Sequence, residues 1–283
     1  YIIPYTCFKS ANEILTLFKH HNIVSSKSCI YRYSIDACKI ILFENSGCEE
    51  VLRKVFSKHD ILSSGYSFNL IQDNDEYVLR CDSLSIENIE FNFSQDEQGE
   101  GMLSILKELQ NAGFISFKQE KETQEKETFD ITYGSSQIKY LFMAEGNMLE
   151  VYTYYKSKEL NSFDDVVTGI KFIRPGNKND NGDGNEIDCF VTKGFQTLVI
   201  ECKARSLKQG GDSEELLLGF KEKLFEEVKK YAINGRGLLV IDSETGIPSV
   251  ADFDNVSVCS NFNKIINIGH VVSAQIKEYS SIR

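Results

Sequence analysis

The chain of 283 residues is 41% hydrophobic and 26% charged, with a net charge of −11, a composition that suits one large or two modest globular domains with ordinary cores. So negative a balance excludes a protein that coats nucleic acid by bulk electrostatics; a polyanion has to be met by a local basic patch or a metal. No apolar run approaches the roughly 18 residues needed to cross a bilayer, and the opening YIIPYTCFKS has neither a basic start nor a long apolar stretch, so no membrane partner is expected and the default address is cytoplasmic.

Eight cysteines fall at irregular spacings with no CxxC pair, and a chain this long builds its core without disulfide staples, so reduced and mostly buried thiols are expected. Residues 1 to 97 read as a small mixed region. Ser10 and Glu13 have capping-box spacing ahead of Ile14, Leu15, Leu17 and Phe18, which predicts a short helix ending near Asn22. YSFNLI, EYVLRC and IENIEFNF then read as strands. The polar run SQDEQGEG, 94 to 101, is the expected boundary between this region and a second unit covering 98 to 283.

After it come a helix (MLSILKELQNA), Gly113, a strand (FISFKQ), the charged loop EKETQEKE and a strand (TFDITYG), an order that resembles a winged helix. Asn147 can open a helix running to about 160. VVTGIKFI, EIDCFVT and QTLVIECK read as three strands. Residues 213 to 232 form a long helix opened by Ser213, and GLLVID is a short, fully apolar strand. The expected class is α/β, with the order α-β-β-β-α-β.

Two of those strands carry the chemistry. They form a hairpin whose turn is either Gly194-Phe195 or Lys193-Gly194. Because side chains alternate with period two, both registers leave Glu186, Asp188, Glu201 and Lys203 on one face, with Ile187, Cys189, Ile200 and Cys202 on the other. Facing carboxylates in a dry setting repel, and a cation between them is the natural relief. Oxygen ligands without a nearby His or Cys pair favour a hard divalent ion, Mg²⁺ or Mn²⁺. His20, His21, His59 and His270 are scattered, so a zinc triad has no support. Lys203 is placed to hold or deprotonate a metal-bound water and to steady charge on a phosphate.

Asp188, twelve residues, then Glu201-Cys202-Lys203 resembles the D-(x)n-E-x-K core of the PD-(D/E)xK nuclease superfamily, with Ile187 where the motif's name has Pro. More narrowly, EGNMLEVYTYY, NEIDCFVTKGFQTLVIECKA and the helix leading to GLLVID, within residues 98 to 245, are similar to the nuclease domain of CRISPR-associated CARF nucleases. The resemblance implies a restriction-endonuclease-like core and metal-dependent hydrolysis of DNA or RNA phosphodiesters. It further implies Asp188, Glu201, the Cys202 carbonyl and Glu150 as metal ligands, and Lys203 beside the attacking water. It also implies a homodimer switched on by cyclic oligoadenylate through a Rossmann-like sensor. Residues 1 to 97 lack the strand-and-glycine pattern of such a sensor, and CFKSANEILTLFKHHNI is similar to the connector that follows one.

Plainer readings compete at several positions. Asn147 and Glu150 also fit a capping box in which the acid only satisfies a backbone donor, and Glu186 at a strand's start can simply face water. NKNDNGDGNEID mimics a calcium loop, but Gly184 fills a normally apolar place, Asp188 replaces the closing Glu, and strands flank it where helices are required. Lys221 and Lys223 either reach a phosphate backbone or are solvated. Cys189 and Cys202 are packing residues, since no His partner stands near them in sequence.

Overall fold

A computed structural model of the chain describes residues 23–25, 68–73, 76–81, 83–91, 97–121, 127–143, 146–172, 186–193, 196–203, 211–232, 235–241 and 256–260. The expected helix at 10 to 22, the four histidines, the middle of the charged loop and most of the calcium-like run lie outside the described residues. In chain order the elements are β1 (Ile23–Ser25), β2 (Phe68–Asp73), β3 (Glu76–Cys81), β4 (Ser85–Phe91), α1 (Glu97–Asn111), β5 (Ile115–Lys121), β6 (Glu127–Tyr133), α2 (Ser136–Met143), α3 (Asn147–Glu159), β7 (Asp165–Phe172), β8 (Glu186–Lys193), β9 (Gln196–Lys203), α4 (Gly211–Tyr231), β10 (Gly235–Ile241) and β11 (Val256–Ser260). This is a mixed α/β protein, and its order from α3 to β10 is the expected α-β-β-β-α-β. Among the described residues no helix is long and apolar enough to cross a membrane.

Backbone contacts divide the chain into two units, residues 29 to 151 and residues 1 to 28 with 152 to 283. The division passes through α3, whose first turn counts with one unit and whose remainder counts with the other. The boundary expected at 94 to 101 is not where the contacts divide. Residues 97 to 101 open α1, and β4, before the polar run, pairs antiparallel with β6, after it. A shared sheet on both sides of a polar run overrides its linker-like composition.

In the unit of residues 29 to 151, β2 and β3 form an antiparallel pair and β4-β6-β5 an antiparallel sheet. Helix α1 buries Ile105, Leu106 and Leu109 at helical spacing, and it ends at Gly113, where φ is +79°. Phe114 N donates to Leu109 O at 2.9 Å and Gly113 N to Gln110 O at 3.0 Å. This is the Schellman closure that a residue without Cβ makes cheap.

The other unit is built on a six-stranded mixed sheet ordered β1-β7-β8-β9-β10-β11. Pairing is antiparallel from β1 to β9 and parallel from β9 to β11. Strands β8 and β9 are buried from 187 to 192 and from 197 to 202. The hairpin therefore has apolar cover on both faces, where the alternation had given only Ile187, Cys189, Ile200 and Cys202 to the core. Helix α4 lays Leu217, Leu224 and Val228 onto the sheet among Phe190, Val199 and Leu239, each such side chain contributing roughly 1.5–3 kcal/mol.

Helix α4 approaches β10 closely because Gly237 has no side chain: a Cβ there would stand 2.8 Å from Leu224 Cγ and 3.2 Å from Val228 Cγ2. Gly219, within α4, faces open space. Gly237→Ala is expected to destabilise the protein by about 1–3 kcal/mol through overpacking. Gly219→Ala is expected to stabilise it by about 0.5–1 kcal/mol by favouring the helix. Urea unfolding of the two variants checks the opposite signs.

Candidate metal and catalytic site

Regular pairing between β8 and β9 runs from Lys193 with Gln196 to Cys189 with Ile200. Two residues therefore connect the strands, the spacing of the Gly194-Phe195 alternative, and the regular register stops one residue short of Asp188 and Glu201. At Asp188 the ladder gives way to side-chain bonds. Asp188 Oδ2 accepts from the backbone N of Cys202 at 2.7 Å. On the other flank, Thr168 Oγ1 donates to the Asp188 carbonyl at 2.6 Å. There β7 bends at Gly169, with φ +62°, between the pairs Thr168 with Cys189 and Ile170 with Ile187. The backbone and the carboxylate of Asp188 are thus both held.

Glu150 reaches the same place from α3. Thr153 Oγ1 lies 3.5 Å from Cys202 Sγ, and Glu150 is three residues earlier, on the neighbouring turn of the same helix face. Carboxylate oxygens of Glu150, Glu186 and Asp188 all lie within 4.8 Å of one another. Glu150 and Asp188 are each 8% exposed, and Glu186 is half-buried. Asn147 lies inside the helix, and its Nδ2 donates to Tyr140 O at 2.8 Å. Glu150, whose N donates to Gly146 O, joins an acidic trio, a placement that a capping role alone does not account for.

At an effective dielectric of ~20, two ionised carboxylates at such separations repel by roughly 3 kcal/mol, so three of them invite a counter-cation. This buried acidic cluster can bind a metal ion. Its donors are all carboxylate oxygens, the chemistry that hard divalent cations take.

Glu201, 2% exposed, is not in that trio. Its Oε1 accepts from Lys203 Nζ at 2.5 Å and from Lys223 Nζ, on α4, at 3.1 Å. Its Oε2 is buried with no hydrogen-bond partner. Lys203 also lies over the Phe220 ring, 5.6 Å from its centre. Burial works against the charge on Lys203, but Glu201 and then Asp188 outweigh it and hold the ammonium above the ordinary lysine value. The same balance, burial opposed by Glu201, Glu227 and Asp188, raises Lys223. In this state Lys203 is a positive charge and a proton donor. Asp188 acts electrostatically on both lysines and so links the acidic trio to the Glu201 network.

Cys202 enters through its amide, while its thiol and that of Cys189 are buried and in no disulfide. Lys221 is 2% exposed, within the buried face of α4, which withdraws it from contact with a solvent-borne phosphate. Lys223, half exposed, is the α4 lysine at the site.

Glu227 is a site residue that the sequence reading missed. It is 2% exposed and 3.5 Å from Lys223 Nζ. The signal was available: Glu227 falls three residues after Leu224 on an apolar stripe, with a lysine four residues before it. Burial, and then the charge of Glu201, push its carboxyl from the usual 4.5 up to about 7, against the pull of Lys223 and Lys203.

Adding Mn²⁺ or Mg²⁺ at about 100 times the dissociation constant is expected to stabilise the wild type by about 2.7 kcal/mol, and Asp188→Asn to lose most of that gain in a thermal-shift titration. A second expectation concerns pH. Between about pH 4.5 and 7 the unfolded chain releases the Glu227 proton while the folded chain keeps it, so the stability this group contributes at low pH is lost as pH rises. Glu227→Gln should therefore gain stability relative to wild type across that window and hold the gain above it, as read by urea midpoints at pH 5, 6, 7 and 8.

No known protein family and no curated protein matches the sequence. Among solved structures the fold is similar to that of protein VC1899 from Vibrio cholerae, at 12% identity and a TM-score of 0.48, over 88% of this chain and 55% of that one. This chain thus spans about half the length of that protein.

Proposed function

We propose that the protein is a metal-dependent endonuclease with a restriction-endonuclease-like core, hydrolysing phosphodiester bonds of DNA or RNA. The observation that carries this reading is the convergence at the end of one hairpin of Asp188, in reach of Glu150 and Glu186, with Glu201 and Lys203 on the neighbouring strand, whose Cys202 amide bonds the Asp188 carboxylate. Asp188, Glu150 and Glu186 would hold a divalent ion, Mg²⁺ or Mn²⁺, with Glu201 and the Cys202 carbonyl beside them as the motif implies. When bound, that ion supplies Lewis-acid polarisation of a phosphoryl oxygen and acidifies water.

The chain's own residues do the rest. Asp188, fixed by the Cys202 amide, keeps its carboxylate from turning away. Lys203, held as an ammonium, offers protons to a phosphate oxygen and offsets the negative charge that grows there as the water oxygen bonds to phosphorus and the ester oxygen leaves. Burial by α4 keeps bulk water from screening these charges.

Activation by cyclic oligoadenylate, action as a homodimer and a cytoplasmic address belong to the same proposal and rest on the resemblance of the D-(x)n-E-x-K segment. A cleavage assay on supercoiled plasmid, single-stranded DNA and RNA, with Mn²⁺ or Mg²⁺ and with or without cyclic tetra-adenylate, tests the reading. Asp188→Asn and Lys203→Ala are each expected to lower the rate by at least about 100-fold. Wild-type rates in Asp188→Asn would sink the nuclease reading, and rates indifferent to cyclic tetra-adenylate would remove the switch alone.

A further inference from the structure

One carboxylate oxygen, Glu201 Oε1, carries two ammonium groups: Lys203 at 2.5 Å and Lys223 at 3.1 Å. Occupied in this way, Glu201 has little negative potential left to offer a divalent ion. The two lysines differ in freedom. Lys203 shares a strand with Glu201 and is seated over Phe220. Lys223 comes from α4, is 49% exposed, and has a second acid within reach, its Nζ standing 3.5 Å from Glu227 Oε1.

That second acid is built in an unusual way. Glu227 is 2% exposed, and neither of its oxygens has a hydrogen-bond partner. A carboxylate buried among Leu224 and Val228 is costly, and the 3.5 Å ion pair leaves its accepting capacity unused. It is spare capacity directed at one group, Lys223, placed four residues before it on the same helix.

We propose that Glu227 is the alternate seat of the Lys223 ammonium: Lys223 caps Glu201 while the site is empty of metal and shifts to Glu227 when Glu201 turns to a divalent ion. Glu227 is then a positioning residue, acting on the metal site through Lys223 without touching the ion. The inference rests on the proposed metal site and adds to it a means of unloading Glu201 without leaving a stranded buried charge.

A double-mutant cycle read by calorimetric titration of Mn²⁺ tests it, with folding checked by circular dichroism. Lys223→Met removes the competitor and is expected to tighten Mn²⁺ binding by about threefold to tenfold, and Glu227→Gln to weaken it by a similar factor, a coupling of ordinary size for groups in contact. In the Lys223→Met background, Glu227→Gln is expected to change affinity by less than about twofold, because its effect passes through the lysine. Glu227→Asp, which keeps a charge for Lys223, should restore part of the loss. If Glu227→Gln weakens binding equally with and without Lys223, Glu227 acts only as a distant charge and the inference is overturned. If Lys223→Met leaves affinity unchanged or lowers it, Lys223 is no competitor and the inference is likewise overturned. Wild-type protein that binds no Mn²⁺ would remove the metal site itself, a failure distinct from these two.

Discussion

The site depends on one hydrogen bond that stands where a sheet bond would otherwise be. The Cys202 amide donates to the Asp188 side chain, so the two strands separate at the point where the carboxylate is wanted. In an ordinary antiparallel pair that amide would be spent on a backbone carbonyl, and Asp188 would have no internal anchor. Here the carboxylate is anchored through one oxygen and lies within 4.8 Å of Glu150 and Glu186. Thr168 and the bend at Gly169 complete the separation from the other side. The local cost of leaving the ladder is offset by side-chain bonds on both flanks.

Around that anchor the charges sort into two groups. Glu150, Glu186 and Asp188 crowd together as acids, whereas Glu201 is neutralised by Lys203 and Lys223. Asp188 belongs to both groups, since its charge also raises both lysines. Such a division suits a centre that must accept a cation on one side and keep a protonated amine on the other. It also explains why burial does not strip Lys203 of its charge, as an apolar pocket alone would do.

Elements with strong periodicity were legible in the sequence. The hairpin β8-β9, the stripe Leu217, Leu224, Val228 on α4 and the apolar β10 follow from patterns of two and 3.6 residues. The Gly194-Phe195 connection fits the register that pairs Lys193 with Gln196. What the sequence left hidden arises from long-range contacts. The polar run at 94 to 101 looked like a linker because composition carries no record of β4 pairing with β6. Glu186 carries two readings in the sequence, a member of the acidic face and a strand-start acid facing water, and no spacing in the sequence records its nearness to Glu150. Lys221 and Lys223 look alike in the sequence, but two positions along a helix turn a side chain by some 200°, burying the first and exposing the second. Glu227 is hidden because charge on a long amphipathic helix usually marks the wet side.

Gly237, paired with Val199 two residues before Glu201, governs how deep α4 sits. The helix settles against β10 because nothing projects from that position toward Leu224, and Lys223, one residue before Leu224, meets Glu201 only at that depth. The missing methyl acts as a ruler: it sets the gap across which an amine on one element finds an acid on another. Packing and electrostatics are therefore not separate layers in this protein, for an apolar vacancy calibrates the span of an ion pair.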